Sequence, residues 1–515
     1  MGTAYVRRLR LKPLAGCLAA ALVFASGNAA AMENRHAAQD VAAAMLERAH
    51  SGDLPPLPSW WKKADPAEIA LSWQPALHRI PPVPADSIVV QNCNDSGAGS
   101  LRQALNDANN GDTIDLTQLA CSSISLTTGS LVVPQTTVTL QGPGSKYLSI
   151  TGNDQYAPLL HDGLGTLYLN DLTIEHGAKY FTDAQVDDAR GGCVFSGGTV
   201  FVADSVIEYC KVADTSTTHR AIGGAIYAYT GVSLSNSSVI NSSATAQNSD
   251  GGGVFSPGFV SISDSFVSGN YSRNHGGGVY TLDLNVKYST VSNNSSGIGG
   301  GLYSAGNTTI TNSTIDHNSA AFCGGLRMNP LNATGPATLL SSTVSSNVSY
   351  QVAGAWVGDY DGHVRVANST IAFNYDTSTS KYGSGLFIYG NVEVESTIVG
   401  NNTYAGGTQP DDVGGNDAAV ITGGNDLFGF SSVPPPGGTI ELESPMLGVL
   451  AFNGGSTRTH MLQSGSPAIN AGNNDANVAS DQRGTGYARE IGAAPDIGAY
   501  ELDLNDEIFA NGFDP

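Results

Sequence analysis

The stretch Asn274–Asn294 reads NHGGGVYTLDLNVKYSTVSNN. Its run Gly276-Gly277-Gly278 has two readings, a loop that wraps a phosphate or substrate, or a structural corner. A phosphate loop is a single special glycine run that opens a helix. Here the run recurs, as GGCVF from Gly191, GGAIY from Gly223, GGGVF from Gly251 and GGGLY from Gly299. Weaker copies follow as CGGLR from Cys323, AGAWV from Ala353 and GSGLF from Gly383. The intervals are 23 to 32 residues, and each run leads into an apolar segment of strand character. Gly276 to Gly278 therefore reads as a corner where stacked backbones approach closely.

Each unit carries a second signature downstream: SDSFVSGN, KYSTVSNN, TNSTIDHN, LSSTVSSN, ANSTIAFN and VESTIVGN. Apolar residues alternate there with the period of a half-buried strand. One such unit cannot bury its apolar face alone, whereas stacked units share a continuous core. The expected fold is all-β, a right-handed parallel β-helix of roughly a dozen coils, about 55–60 Å long at a strand spacing of about 4.8 Å.

Stacking turns sequence columns into ladders. Val194, Ile226, Val254, Val279, Leu302, Leu326, Trp356 and Leu386 are expected to face inward. The residues after them, Phe195, Tyr227, Phe255, Tyr280 and Tyr303, then Arg327, Val357 and Phe387, would face outward. The five aromatics would form a strip for a sugar or a partner protein, unless a loop or residues 32–86 cover it. The closing asparagines Asn270, Asn294, Asn318, Asn347, Asn374 and Asn401 would bond up and down the stack. Ahead of the glycine runs stand Arg190, Ile222, Asp250, His275, Ile298, Phe322, Val352 and Tyr382. That column puts Asp250 and His275 on neighbouring coils about 5 Å apart, with Arg273 close by. Such a trio is either a general-base arrangement or a surface ion pair.

Composition fits this fold. The chain has 63 glycines among 515 residues, few basic residues, and a formal net charge of −22. That charge disfavours nucleic acid and polyanionic glycans as partners. Residues 1–31 have the form of a secretory signal peptide, with Arg7, Arg8, Arg10 and Lys12 ahead of an apolar stretch and Ala29-Ala30-Ala31 behind it. The rival cue, LAGC at Leu14–Cys17, has the letters of a lipoprotein box. No later segment is long and apolar enough to span a bilayer as a helix. In an exported chain Cys93 with Cys121 is the first expected disulfide and Cys193 with Cys210 the second, which leaves Cys323 over.

The amino end offers a cover for the stack in Ser100-LRQALNDANN-Gly111. Its Leu101, Ala104, Leu105 and Ala108 share one helical face, Ser100 and Gln103 have the form of a capping box, and Gly111 supplies a stop. The segment CNDSGAGSLRQALNDANNGDTIDL resembles the amino-terminal cap of exported bacterial β-helix proteins with a CSLREA-like consensus. The coils resemble polymorphic outer membrane protein repeats. SPMLGVLAFNGGSTRTHMLQSGSPAINAG, followed by DQRG and DIGAYE, resembles the choice-of-anchor Q domain, with Asn470 where that family usually shows Asp and Gln103 where the cap usually shows Glu. The resemblance implies a β-helical protein exported to the surface or exterior of a Gram-negative bacterium. The expected layout is a signal peptide (1–31), a Pro-rich leader (32–86), a cap (87–122), coils (123–432), a closing segment (433–501) and a short tail (502–515) of the sorting-signal kind.

Chemistry is sparse. Glycosidic hydrolysis needs two carboxylates a few ångströms apart. Outside the leader Asp411-Asp412 is the one tempting pair, in a turn-like stretch beyond the regular coils, while Asp187-Asp188 sits in a long insertion and is expected to be solvated. No nucleotide loop, zinc signature or calcium loop occurs, so no metal and no cofactor is implied. The expected function is non-enzymatic: presentation of a repetitive face for adhesion or recognition of a glycan or a surface protein. A polysaccharide lyase or glycoside hydrolase on the same scaffold is the alternative.

Overall fold

The computed structural model describes residues 87–181, 188–214, 219–329, 337–405 and 410–503. The expected signal peptide, the leader and the tail beyond Asp503 lie outside the described residues. The rest is a parallel β-helix, nearly all strand, with one helix. Each coil lays two short strands into a broad 20-stranded sheet, one into a middle 13-stranded sheet and one into a narrow 9-stranded sheet. One repeat runs Val194–Ser196 and Thr199–Ala203 in the broad sheet, Val206–Glu208 in the middle sheet and Lys211–Asp214 in the narrow sheet. The chain then returns through Arg220–Ile222 to Ile226.

Three left-handed corners per coil make this path. In the stretch 274–294 they are Gly276 (φ 61°), Tyr288 (φ 47°) and Asn293 (φ 56°). Left-handed backbone disfavours residues with a Cβ, and Asp, Asn and Gly tolerate it best. The Tyr288 column duly begins Asp171, Asp204, Asn236, Asp264. The turn lies at Asn293 and not at the closing Asn294, whose side chain points into the core and is fully buried.

That inward asparagine explains the third glycine. A Cβ on Gly278 would sit 2.6 Å from the Gly301 carbonyl and 3.1 Å from the Asn294 amide. One column pair, the corner residue and the residue facing it across the coil, therefore runs Cys193 with Cys210, Ala225 with Ser242, Gly253 with Asn270, then Gly278 with Asn294. Cys193 and Cys210 form a disulfide with Cα atoms 5.4 Å apart, and Cys93 bonds Cys121 at the cap. Cys323 is a buried thiol outside both.

The asparagine ladder forms. Asn294 donates from its backbone N and Nδ2 to Asn318 Oδ1, each at 3.0 Å, and its second Nδ2 hydrogen goes to the Val267 carbonyl. Every amide group is thereby used inside an apolar core, where an unmade bond would cost ~1–3 kcal/mol. One expected rung is corrected: Asn374 donates to Asn402, not Asn401, which instead occupies a left-handed corner (φ 62°). Asn402 then donates to Asp412 Oδ1 at 2.8 Å, so a carboxylate ends the ladder. A parallel hydroxyl ladder runs Ser205, Ser237, Ser265, Ser289, Ser313, Ser342, Ser369, Thr397 and ends on Asp426.

A second slip appears at Trp356. Leu326 pairs with Ala355 and Arg327 with Trp356, so Ala355 takes the inward position expected of Trp356, and Gln351 rather than Val352 pairs with Phe322. At the amino end the helix α1 (Leu101–Asp107) buries Leu101, Ala104 and Leu105, and Ser100 Oγ accepts from Gln103 N at 3.2 Å. Only half of the capping box forms, because Gln103 Nε2 turns to Asp107. The closing segment meets the last coil through buried Val433 and through Ile440, which pairs with Leu427, and then turns back. Its bonds run back along the middle sheet to Ser396, Asn368, Thr343 and Asn312.

Candidate functional site

Asp250 and His275 meet as the columns predict. They form a parallel bridge, and His275 Nδ1 lies 2.6 Å from Asp250 Oδ1. The cation on the other carboxylate oxygen is Arg220, two residues before the expected column on the preceding coil. Arg273 contributes its backbone N–H to Ser249 Oγ, with no ion pair to Asp250. Burial opposes ionisation of Asp250, yet His275 and Arg220 together hold its carboxyl below the ordinary carboxylate range. The neutralised carboxylate ties three coils together, Arg220 on one side and His275 on the other.

The aromatic strip is corrected in kind. Phe195, Tyr227, Phe255, Tyr280 and Tyr303 do stack along the axis, with centroids 4.9–5.6 Å apart and interplanar angles of 3–22°. Their faces are thus used by one another, and Tyr227, Phe255 and Tyr303 are each only 5% exposed. The pile continues through the Arg327 guanidinium, 5.0 Å from both Tyr303 and Trp356, to Phe387. Burial pushes the Tyr280 hydroxyl well above its ordinary pKa. A sugar stacks on a ring face, and this column presents edges.

Asp411 and Asp412 are likewise internal. Asp411 Oδ2 accepts from the backbone of Gly383 and Ser384 at 3.1 Å and from Ser384 Oγ at 2.8 Å, while Asp412 caps the ladder. Burial, with a contribution from Asp411, raises the Asp412 pKa to about 7. Asp187 lies outside the described residues, and Asp188 accepts from Arg220 N.

The open polar surface is elsewhere, on the amino-terminal half of the middle sheet. Ile174 and Ile207 point inward, so their neighbours Glu175 and Glu208, which pair in register, point outward side by side. Burial, then the charge of Glu175, raises the Glu208 pKa against the opposing pull of His176. At the corner just after them the rings of His176 and Tyr209 stack at 5.2 Å and 16°. Tyr209 is 47% exposed, and Tyr180, with Lys211 Nζ 5.7 Å from its ring, is 53% exposed. Asp154 Oδ1 approaches His176 Nδ1 at 3.3 Å. These residues lie on neighbouring coils but 22 to 33 positions apart in sequence, and they fall outside the recurrent glycine and asparagine signatures. Among the described residues no three His, Cys, Asp or Glu groups converge as a metal site.

No family model and no curated protein matches the chain. The resemblance to the choice-of-anchor Q domain accordingly stays an expectation of the sequence. A solved structure titled "Crystal structure of pectate lyase Pel9A" is similar at 12% identity and a TM-score of 0.35, covering 82% of this chain and 98% of that one. Likeness at that level assigns no substrate and no residue.

Proposed function

We propose that this is an exported β-helical recognition protein that binds glycans on the open amino-terminal flank of its middle sheet. The observation that carries the reading is the exposed, stacked pair His176–Tyr209 beside the outward carboxylates Glu175 and Glu208. An open aromatic ring with carboxylates beside it suits a sugar, and Tyr209 is 47% exposed where Tyr227, Phe255 and Tyr303 are covered. Repetition along a rod suits a repetitive ligand. Binding of the full chain to an immobilised glycan panel tests it: Tyr209→Ala should weaken binding roughly tenfold, while Tyr280→Ala, inside the buried stack, should leave it unchanged. The reading fails if no saccharide binds, or if binding survives Tyr209→Ala combined with Tyr180→Ala.

One observation favours hydrolysis as a second reading. Glu175 and Glu208 stand on strands about 4.8 Å apart, near the separation of the carboxylates in retaining glycosidases. The raised pKa of Glu208 suits a proton donor. Release of reducing ends from a bound glycan, abolished by Glu208→Gln, would support it, and binding without any release would exclude it.

A further inference from the structure

Exposed apolar side chains form a ridge along the bend between the two broad-sheet strands on four of five successive coils, the coil after that of Leu164 having Gly197-Gly198 at the bend. Leu164 is 80% exposed, Tyr229 64%, Phe259 38% and Leu282 37%. The Phe259 ring lies over Gly231 of the preceding coil, where a Cβ would come within 2.2 Å of it. Asp162 and Asp283 stand beside the ridge in sequence.

Register places the start of the described chain on the same line. Ile88 pairs with Ile114, and the column continues through Leu140, Leu169, Val202, Leu234 and Ile262 to Val286. Leu164 and Tyr229 stand five residues ahead of Leu169 and Leu234. The residue five ahead of Ile88 is Val83, within Pro81-Pro82-Val83-Pro84. Ile88 therefore stands on the column that flanks the ridge, three coil spacings before the rung of Leu169.

We infer that the ridge is the docking surface of this chain's own segment Pro55–Pro84. From the rung of Ile88 to that of Val286 is seven coil spacings, about 34 Å. An extended Pro-rich chain covers this in about eleven residues, and Pro55–Val83 is more than twice as long. The chemistry matches as well. PPLPSWW, from Pro55 to Trp61, is the kind of Pro-rich aromatic sequence that packs on tyrosines and other apolar side chains. Lys62 and Lys63 next to it complement Asp162 and Asp283.

The tryptophans make the test direct. The chain has four, and three of them, Trp60, Trp61 and Trp73, are in the segment. In the full chain carrying Trp356→Phe, emission therefore reports the segment alone. It should be blue-shifted and resist acrylamide, and Tyr229→Ser with Leu282→Ser should abolish both properties. Tryptic cleavage after Lys62 and Lys63 should accelerate roughly tenfold in that variant. The reciprocal change, Trp60→Ser with Trp61→Ser, should accelerate it equally, so a folding defect from either pair of substitutions is recognised. Solvent-like emission in the parent, or equal cleavage in all chains, overturns the inference. Protection that rises with protein concentration also overturns it, because a second copy would then be the occupant.

Discussion

Glu208 and Asp316 occupy the same outward column of the middle sheet, four coils apart, with Ile240, Ser268 and Ser292 between them. Glu208 is half-buried on an open flank and its carboxyl is raised, chiefly by burial and by Glu175. Asp316 is fully buried under the closing segment, where Arg458 and His317 overcome the burial penalty and lower its pKa. The same coil geometry thus leaves an open flank in one half and makes a tertiary joint in the other. What differs is the cover: residues 457–501 lie over the later coils, with Gln482 bonded to Thr314 and Thr343, His460 to Ser345, and Arg489 to Ser396. The amino-terminal half is secured from within by Cys193–Cys210.

Removing the cover's cation should break the comparison most severely. Arg458→Ala leaves Asp316 buried with only His317 and should destabilise the chain by roughly 3–5 kcal/mol in denaturant titration. The next largest effect falls on the other half. Cys193→Ala with Cys210→Ser reproduces the Ala225–Ser242 pair of the following coil, so the fold should persist while roughly 3 kcal/mol of stability is lost.

Asp412→Asn comes third. Between the ordinary carboxylate pKa and about 7 the folded chain holds a proton on Asp412 that the unfolded chain releases, so stability from this group falls as pH rises through that window. Substitution should flatten that slope and raise stability at pH 8 by roughly 2 kcal/mol. Asp316 has the opposite sign: its lowered pKa contributes stability above the ordinary carboxylate range that is lost as pH falls. Glu208→Gln should change stability by less than about 1 kcal/mol, upward at neutral pH, because a like-charge neighbour is removed from Glu175. Tyr209→Ala is the smallest, within about 0.5 kcal/mol by thermal denaturation, so that a loss in the proposed glycan binding would not reflect unfolding.

Much of the fold was legible because a β-helix repeats its geometry. Gly191, Gly223, Gly251, Gly276 and Gly299 all take the same left-handed corner. The Asp250–His275 neighbourhood follows from aligning the chain with itself, the disulfides from cysteine usage in an exported chain, and the capping helix from its apolar face and cap residues. Matching letters failed where they compete with register. STI recurs at Ser369 and Ser396, yet Thr370 pairs with Ile398, which moves the ladder from Asn401 to Asn402. A one-residue displacement likewise lies behind the expectation of Trp356 in the inward column, where Ala355 stands instead. The candidate surface was less legible, since Glu175 and Glu208 carry no motif and become a pair only through register.

The sequence alone therefore determined the coil, because the small, apolar and amide residues it repeats are the ones that corners, core and ladder require. Tertiary structure alone decided exposure. Outward aromatics became a buried pile because equal coil spacing sets each ring on the next, and Glu208 stays open where Asp316 is closed because the closing segment folds back along the flank. The contacts of the closing segment join residues 93 to 168 positions apart, a distance at which no local pattern records which face will be covered.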